Sequence, residues 1–206
     1  MDQGNMGEPY NLLVDDDEKA ALWVIPNFGP DLYEELTKIP LYHEPEIVTG
    51  GEVKHQRRDV GFYSDESEGY RYSGQVAEAF PFDQAPFLRD LMYLVNATLG
   101  TEFNGVLVNR YRDGTKYLSY HSDSKQGLDK NNFMVAGIAY GPGVRKFRIR
   151  HKVPGKAGSI VLDHPHQPRE ILIMDGDFQE RYTHEIPIQK KIKEERISVT
   201  FRRHIK

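Results

Sequence analysis

Cysteine is absent from all 206 residues. That excludes disulfides, thiolate metal sites and cysteine nucleophiles together, and it suits a reducing compartment. Long apolar runs are lacking too. The longest stretch without Asp, Glu, Lys or Arg, 131–144, has 14 residues and contains three glycines, against the roughly 20 apolar residues a membrane helix needs. The first 20 residues are polar and acidic, which a secretory signal is not. No membrane association is expected, and the chain reads as soluble and intracellular, in nucleus or cytoplasm.

What is present fits one domain. At this length about 70% of the unfolded chain's surface can be buried, so no covalent staple is required. The net charge of −4 hides an asymmetry: residues 1–100 hold 7 Lys+Arg against 19 Asp+Glu (−12), and residues 101–206 hold 20 against 12 (+8). A basic half points to a polyanionic partner, although solvated charged faces give the same count.

Along the chain, residues 1–20 read as a flexible acidic tail and 21–206 as a single domain. A short apolar run at 21–26 suits a strand. Asp31 can cap a helix to about residue 37, and Pro40 stops it. Residues 41–74 show no clear period. A second helix runs from 85 or 86 to about 99, with Leu88, Leu91, Met92, Val95 and Leu99 inward and Gly100 as its stop. Beyond it come eight strand candidates, at 105–111, 116–121, 133–140, 146–151, 158–163, 170–174, 181–186 and 196–203, punctuated by Asp-Gly, Gly-Pro-Gly and Pro-Gly turns. The fold class is therefore mainly β with flanking helices (α+β). Eight short strands at this spacing suit a jelly roll.

His121 and Asp123 are two apart, so on a strand they face the same side and can grip one metal. Two histidines and one carboxylate with open coordination positions form the facial triad of non-haem Fe(II) oxygenases. The third ligand must come from a distant strand. His151, His164, His166, His184 and His204 are candidates; His164 and His166 flank Pro165 and read as a turn, whereas His184 lies in the strand candidate RYTHEI. Arg196 and Arg202, six apart in RISVTFR, also share a strand face. Two arginines turned into one cavity call for an anionic guest, because an unpaired buried charge is costly.

Jointly these segments resemble the AlkB family of Fe(II)/2-oxoglutarate dioxygenases. NRYRDGTKYLSYHSD is similar to that family's NxYxDG…HxD segment, and RISVTFR to its closing Rx5R segment. FRIRHK (147–152) and YRYSG (70–74) look most like the eukaryotic branch that repairs alkylated DNA and RNA. The resemblance spans about residues 40–203. It implies a double-stranded β-helix at about 101–203, a nucleotide-recognition segment at about 41–75, and Fe(II) on His121, Asp123 and His184. It implies 2-oxoglutarate held by Arg196 with Asn109, Tyr111, Ser198, Thr200 and Arg202, and O2 as the second co-substrate.

The implied reaction is oxidative demethylation of N-alkylated bases such as 1-methyladenine or 3-methylcytosine, releasing formaldehyde, succinate and CO2. The base must leave its stack to react. Tyr70, Arg71 and Tyr72 match the base-holding segment, with Ser124 after the His-x-Asp pair in the place of an acidic residue. Arg57, Arg58, Arg148, Arg150 and Lys152 are expected to meet phosphates. The family's duplex-repairing members carry a bulky apolar finger where this chain reads VTGGEVKHQRR, and Thr49 is a poor wedge. Single-stranded DNA or RNA is thus the expected partner of a monomeric enzyme. Two other readings are a hydroxylase of the same chemistry acting on a protein side chain or small molecule, and a non-catalytic nucleic-acid-binding module.

Overall fold

In a computed structural model of the chain, the described residues are 6–14, 17–67, 69–72, 75–123, 134–152, 155 and 157–204. The expected acidic tail is the first correction. Strand β1 (Tyr10–Val14) pairs antiparallel with β2 (Ala20–Ile25). Leu12 and Leu13, apolar residues beside the acidic run, pack against the core instead of staying in water. Next, α1 (Tyr33–Leu36) is a single turn, shorter than expected. Asp31 Oδ1 accepts the Tyr33 amide at 3.1 Å, and Leu36 is fully buried.

The segment without period holds four strands. A hairpin joins β3 (Glu46–Thr49) to β4 (Glu52–His55) through Gly50 and Gly51, at φ 62° and 80°, the left-handed values of a tight two-residue turn. Then come β5 (Asp59–Tyr63), β6 (Gly69–Tyr72) and, continuing past it, β7 (Gln75–Phe80). Helix α2 (Pro86–Leu99) has Pro86 at its start and ends on Gly100 at φ 65°.

All eight later candidates are strands: β8 (Gly105–Tyr111), β9 (Leu118–His121), β10 (Val135–Tyr140), β11 (Arg145–His151), β12 (Ile160–His166), β13 (Ile171–Gly176), β14 (Tyr182–Ile186) and β15 (Arg196–Arg202). A one-turn helix, α3 (Phe178–Arg181), precedes β14. These strands divide four and four. The larger sheet runs β1-β2-β13-β10-β15-β8-β5-β7-β6, and the smaller β12-β11-β14-β9. This is the jelly roll that the strand count suggested.

Alternation sorts the core. On β13, Ile171 and Ile173 face α2 with Leu88, Leu91 and Val95, whereas Leu172 and Met174 face the smaller sheet with Phe147, Ile149 and Ile186. The large sheet is covered on both sides. The cavity that matters opens between the two sheets.

Candidate active site

His121 ends β9 and His184 sits on β14, where the two are direct cross-strand partners with ring centroids 4.3 Å apart. Asp123 follows two residues after His121. Its backbone N–H donates to Gln179 Oε1 at 2.8 Å, which anchors the turn beyond the strand. One potential ligand atom from each of the three residues lies within 4.8 Å of the others. His121 Nδ1 lies 2.9 Å from the Ser119 carbonyl, which can only accept; Nδ1 therefore carries the proton and Nε2 keeps its lone pair.

The protonation states suit a cation. Burial lowers the pKa of both histidines, that of His184 to about 3, so both rings are neutral. For Asp123, burial pushes upward, but Arg202, His184 and His121 outweigh it and bring the carboxyl to about 2. Asp123 Oδ2 and His184 Nδ1 are buried and lack a hydrogen-bond partner among the described residues. Two neutral nitrogens and one anionic oxygen with an orphaned buried atom fit Fe(II).

β15 builds the neighbouring half. Arg196, Ser198, Thr200 and Arg202 alternate along it and line the cavity, and its partner β8 places Tyr111 opposite Arg196 and Asn109 opposite Ser198. Arg196 is 3% exposed, with its guanidinium carbon 5.5 Å from the centre of the Tyr111 ring. Burial lowers its pKa to about 10, so it remains a cation. Its Nε and Nη1 have no acceptor among the described residues. Unsatisfied donors on a buried cation fit a carboxylate guest.

Several expected nucleic-acid contacts lie elsewhere. Arg58 is buried in the cavity wall and donates from Nε to Asn109 Oδ1 at 2.7 Å; of the basic pair only Arg57 is exposed, and β5, which follows it, is buried along its whole length. Arg148 is bidentate to Asp163 at 2.5 and 2.9 Å, and Arg150 donates to Glu185 at 2.9 Å. Both guanidiniums are held by carboxylates on the flanking strands β12 and β14 rather than offered to phosphate. Lys152 donates to Ser122 Oγ and the Gln179 carbonyl, both at 3.1 Å. Tyr70, Arg71 and Tyr72 lie on β6, beside β7 at the end of the large sheet; their side chains, and all of Ser124, fall outside the described residues.

Two wall residues were missed. His166, read as part of a turn, belongs to β12 and is buried in the cavity wall. Phe147 stacks on the His184 ring, with centroids 5.2 Å apart and planes inclined by 21°. The β-propensity around FRIRH marked that strand, but nothing local marked its inward ring.

Comparison with known proteins agrees with this geometry. The sequence profile of the 2OG-Fe(II) oxygenase superfamily matches residues 30–202. The human DNA oxidative demethylase ALKBH2 is 29% identical over 185 residues, covering 84% of this chain and 67% of that protein. The human alpha-ketoglutarate-dependent dioxygenase alkB homolog 3 is 30% identical over 142 residues, covering 65% of this chain and 47% of its own length. Among solved structures, that of OsALKBH1 superposes with a TM-score of 0.54 at 15% identity, covering 89% of this chain and 96% of the other.

Proposed function

The chain belongs to the 2OG-Fe(II) oxygenase superfamily, and from that premise we propose that it removes alkyl groups oxidatively from N-alkylated bases in nucleic acid. His121, Asp123 and His184 would hold Fe(II). Arg196 would take the distal carboxylate of 2-oxoglutarate, with Tyr111, Ser198 and Thr200 around it. Bound together, iron and 2-oxoglutarate supply the oxidising chemistry, consuming O2, releasing succinate and CO2, and freeing formaldehyde from a methylated base.

The chain's own residues do the positioning. The Ser119 carbonyl fixes the His121 tautomer, Gln179 holds the Asp123 backbone, and Phe147 braces the His184 ring. Leu107, Leu118, Leu172, Met174 and Ile186 make the rest of the cavity wall largely apolar, which excludes water and strengthens each charge interaction inside. The observation that carries the reading is the pairing of a largely buried His-Asp-His cluster with a buried arginine whose Nε and Nη1 have no acceptor among the described residues.

Single strands are the proposed substrates, because the turn of the β3–β4 hairpin is Thr49-Gly50-Gly51-Glu52 and contains no bulky apolar residue. The carboxylate pairing of Arg148 and Arg150 favours a second reading, in which the same chemistry acts on a small molecule or protein side chain. One experiment separates them. Anaerobically iron-loaded protein receives O2, 2-oxoglutarate and oligonucleotides carrying 1-methyladenine or 3-methylcytosine, as single and double strands of DNA and RNA. Loss of the methyl mass, absent in His121→Ala, is the expected result. Succinate formed with every oligonucleotide intact would overturn the nucleic-acid substrate and favour the second reading.

A further inference from the structure

His166 is a buried imidazole that lies outside the His121–Asp123–His184 cluster. Its Nε2 lies 2.8 Å from the Glu170 carbonyl, which only accepts, so Nε2 carries the proton. Nδ1 is then the acceptor, and Arg196 Nη2 donates to it at 3.0 Å. Both residues are 3% exposed. The bond crosses the sandwich, from β12 on the smaller sheet to β15 on the larger.

We infer that His166 is a positioning residue for the co-substrate: it fixes the Arg196 guanidinium through a neutral acceptor and leaves that cation's charge for an incoming dicarboxylate. The inference rests on the reading of Arg196 as the co-substrate arginine.

Three observations support it. The acceptor is uncharged, and no carboxylate of the described residues pairs with Arg196. An aspartate at position 166 would close the ion pair within the protein and compete with the ligand. The turn that presents the Glu170 carbonyl is itself built: Glu170 Oε2 takes the Gln167 amide at 3.0 Å and lies 2.7 Å from His164 Nε2, and Arg169 at φ 61° is tied to the Gly29 carbonyl. Finally, Phe147 meets His166 edge-on, at 6.3 Å and 78°, while stacking on His184. A single ring therefore braces both ends of the pocket. Burial and then Arg196 hold the His166 pKa well below its ordinary value, in keeping with the neutral tautomer that the two bonds require.

The test is direct binding to the anaerobic Fe(II) protein, read from the visible charge-transfer absorbance of the complex. 2-Oxoglutarate is compared with 2-oxobutyrate, which has the same keto-acid end and no distal carboxylate. His166→Leu is expected to weaken 2-oxoglutarate about tenfold or more, the scale of a lost hydrogen bond to a charged group, and to leave 2-oxobutyrate unchanged. His166→Asn, which offers Oδ1 near the place of Nδ1, should restore most of the affinity. His166→Asp, of the same shape with a charge, should lose at least as much as His166→Leu.

Wild-type affinity for 2-oxoglutarate in the Leu and Asp variants would overturn the inference. Equal losses for both 2-oxo acids would also overturn it, by revealing a purely structural role. Should His166→Leu not fold, the Asn and Asp pair decides alone. Wild-type protein that binds iron yet gives no absorbance change with either acid would overturn the co-substrate reading itself, and the inference with it.

Discussion

Arg202 Nη2 donates to Asp123 Oδ1 at 2.7 Å, so the anionic member of the proposed metal site is already half engaged by a cation of the co-substrate strand. With the histidines neutral, the charged groups lining the cavity are Arg58, Arg196 and Arg202 against Asp123 alone, a formal 3 − 1 = +2. A divalent metal entering by itself meets that charge, and a dicarboxylate removes it. Metal and 2-oxoglutarate should therefore bind cooperatively, each tightening the other by about fivefold or more. Calorimetric titration of Mn(II), a redox-stable stand-in, with and without 2-oxoglutarate measures this; equal affinities would refute it.

Replacing His121 should remove the metal without unfolding the chain. Its side chain is 20% exposed at the end of a short strand, and it carries none of the apolar core. His121→Ala is expected to lose more than about 100-fold in metal affinity, beyond the effect of outer-shell changes. Its unfolding midpoint without metal should stay near that of the wild type. A metal-induced rise in that midpoint surviving in the mutant would count against His121 as a ligand.

Arg145 is fully buried, and its guanidinium donates to the carbonyls of Asp113 (2.9 Å), Lys116 (2.9 Å) and Pro187 (2.6 Å). Truncation to Leu would leave buried carbonyls unanswered, at about 1–3 kcal/mol each. A loss of roughly 3 kcal/mol or more in urea unfolding is expected for Arg145→Leu. A change under about 0.5 kcal/mol, ordinary for a surface site, would contradict the role.

The ion pairs of Arg148 and the exposure of Arg57 predict different parts in nucleic-acid binding. A guanidinium already held by Asp163 releases few counterions on meeting a phosphate. Arg57→Gln should therefore flatten the dependence of oligonucleotide affinity on salt concentration, by about one unit of slope at most. Arg148→Gln should change the slope less. The reverse order would mean that Asp163 gives way when nucleic acid arrives.

The sequence made the second half of the fold legible because each strand after Gly100 carries its own apolar run and its own turn. The first half was opaque for a physical reason. β5 is held by β7 and, much further along the chain, by β8, and its DVGFY pattern is buried on both faces, so no period of two survives. Pro165 disguised the end of β12, residues 164–166, as a turn. That strand is the edge of the smaller sheet, where a missing N–H can face away from the ladder. The β15 arginines could be read from spacing within a strand, and the His121-x-Asp123 pair from spacing alone, although Asp123 lies two residues past the end of β9 rather than on it; spacing left His184 one of several candidates. The carboxylates that claim Arg148 and Arg150 lie 15 and 35 residues away in sequence, and no local pattern announces them.

The place of β9 gives the proposed iron site a second meaning. This four-residue strand lies at the edge of its sheet and, among the described residues, pairs there only with β14, with His121 opposite His184. Because side chains alternate, a slip of one residue would turn His121 away from His184. An ion gripped from both strands forbids that slip. Removing the metal with a chelator should then quicken amide exchange along β9 while leaving β15 untouched, for an ion held there would be a rivet in the frame as well as a reagent.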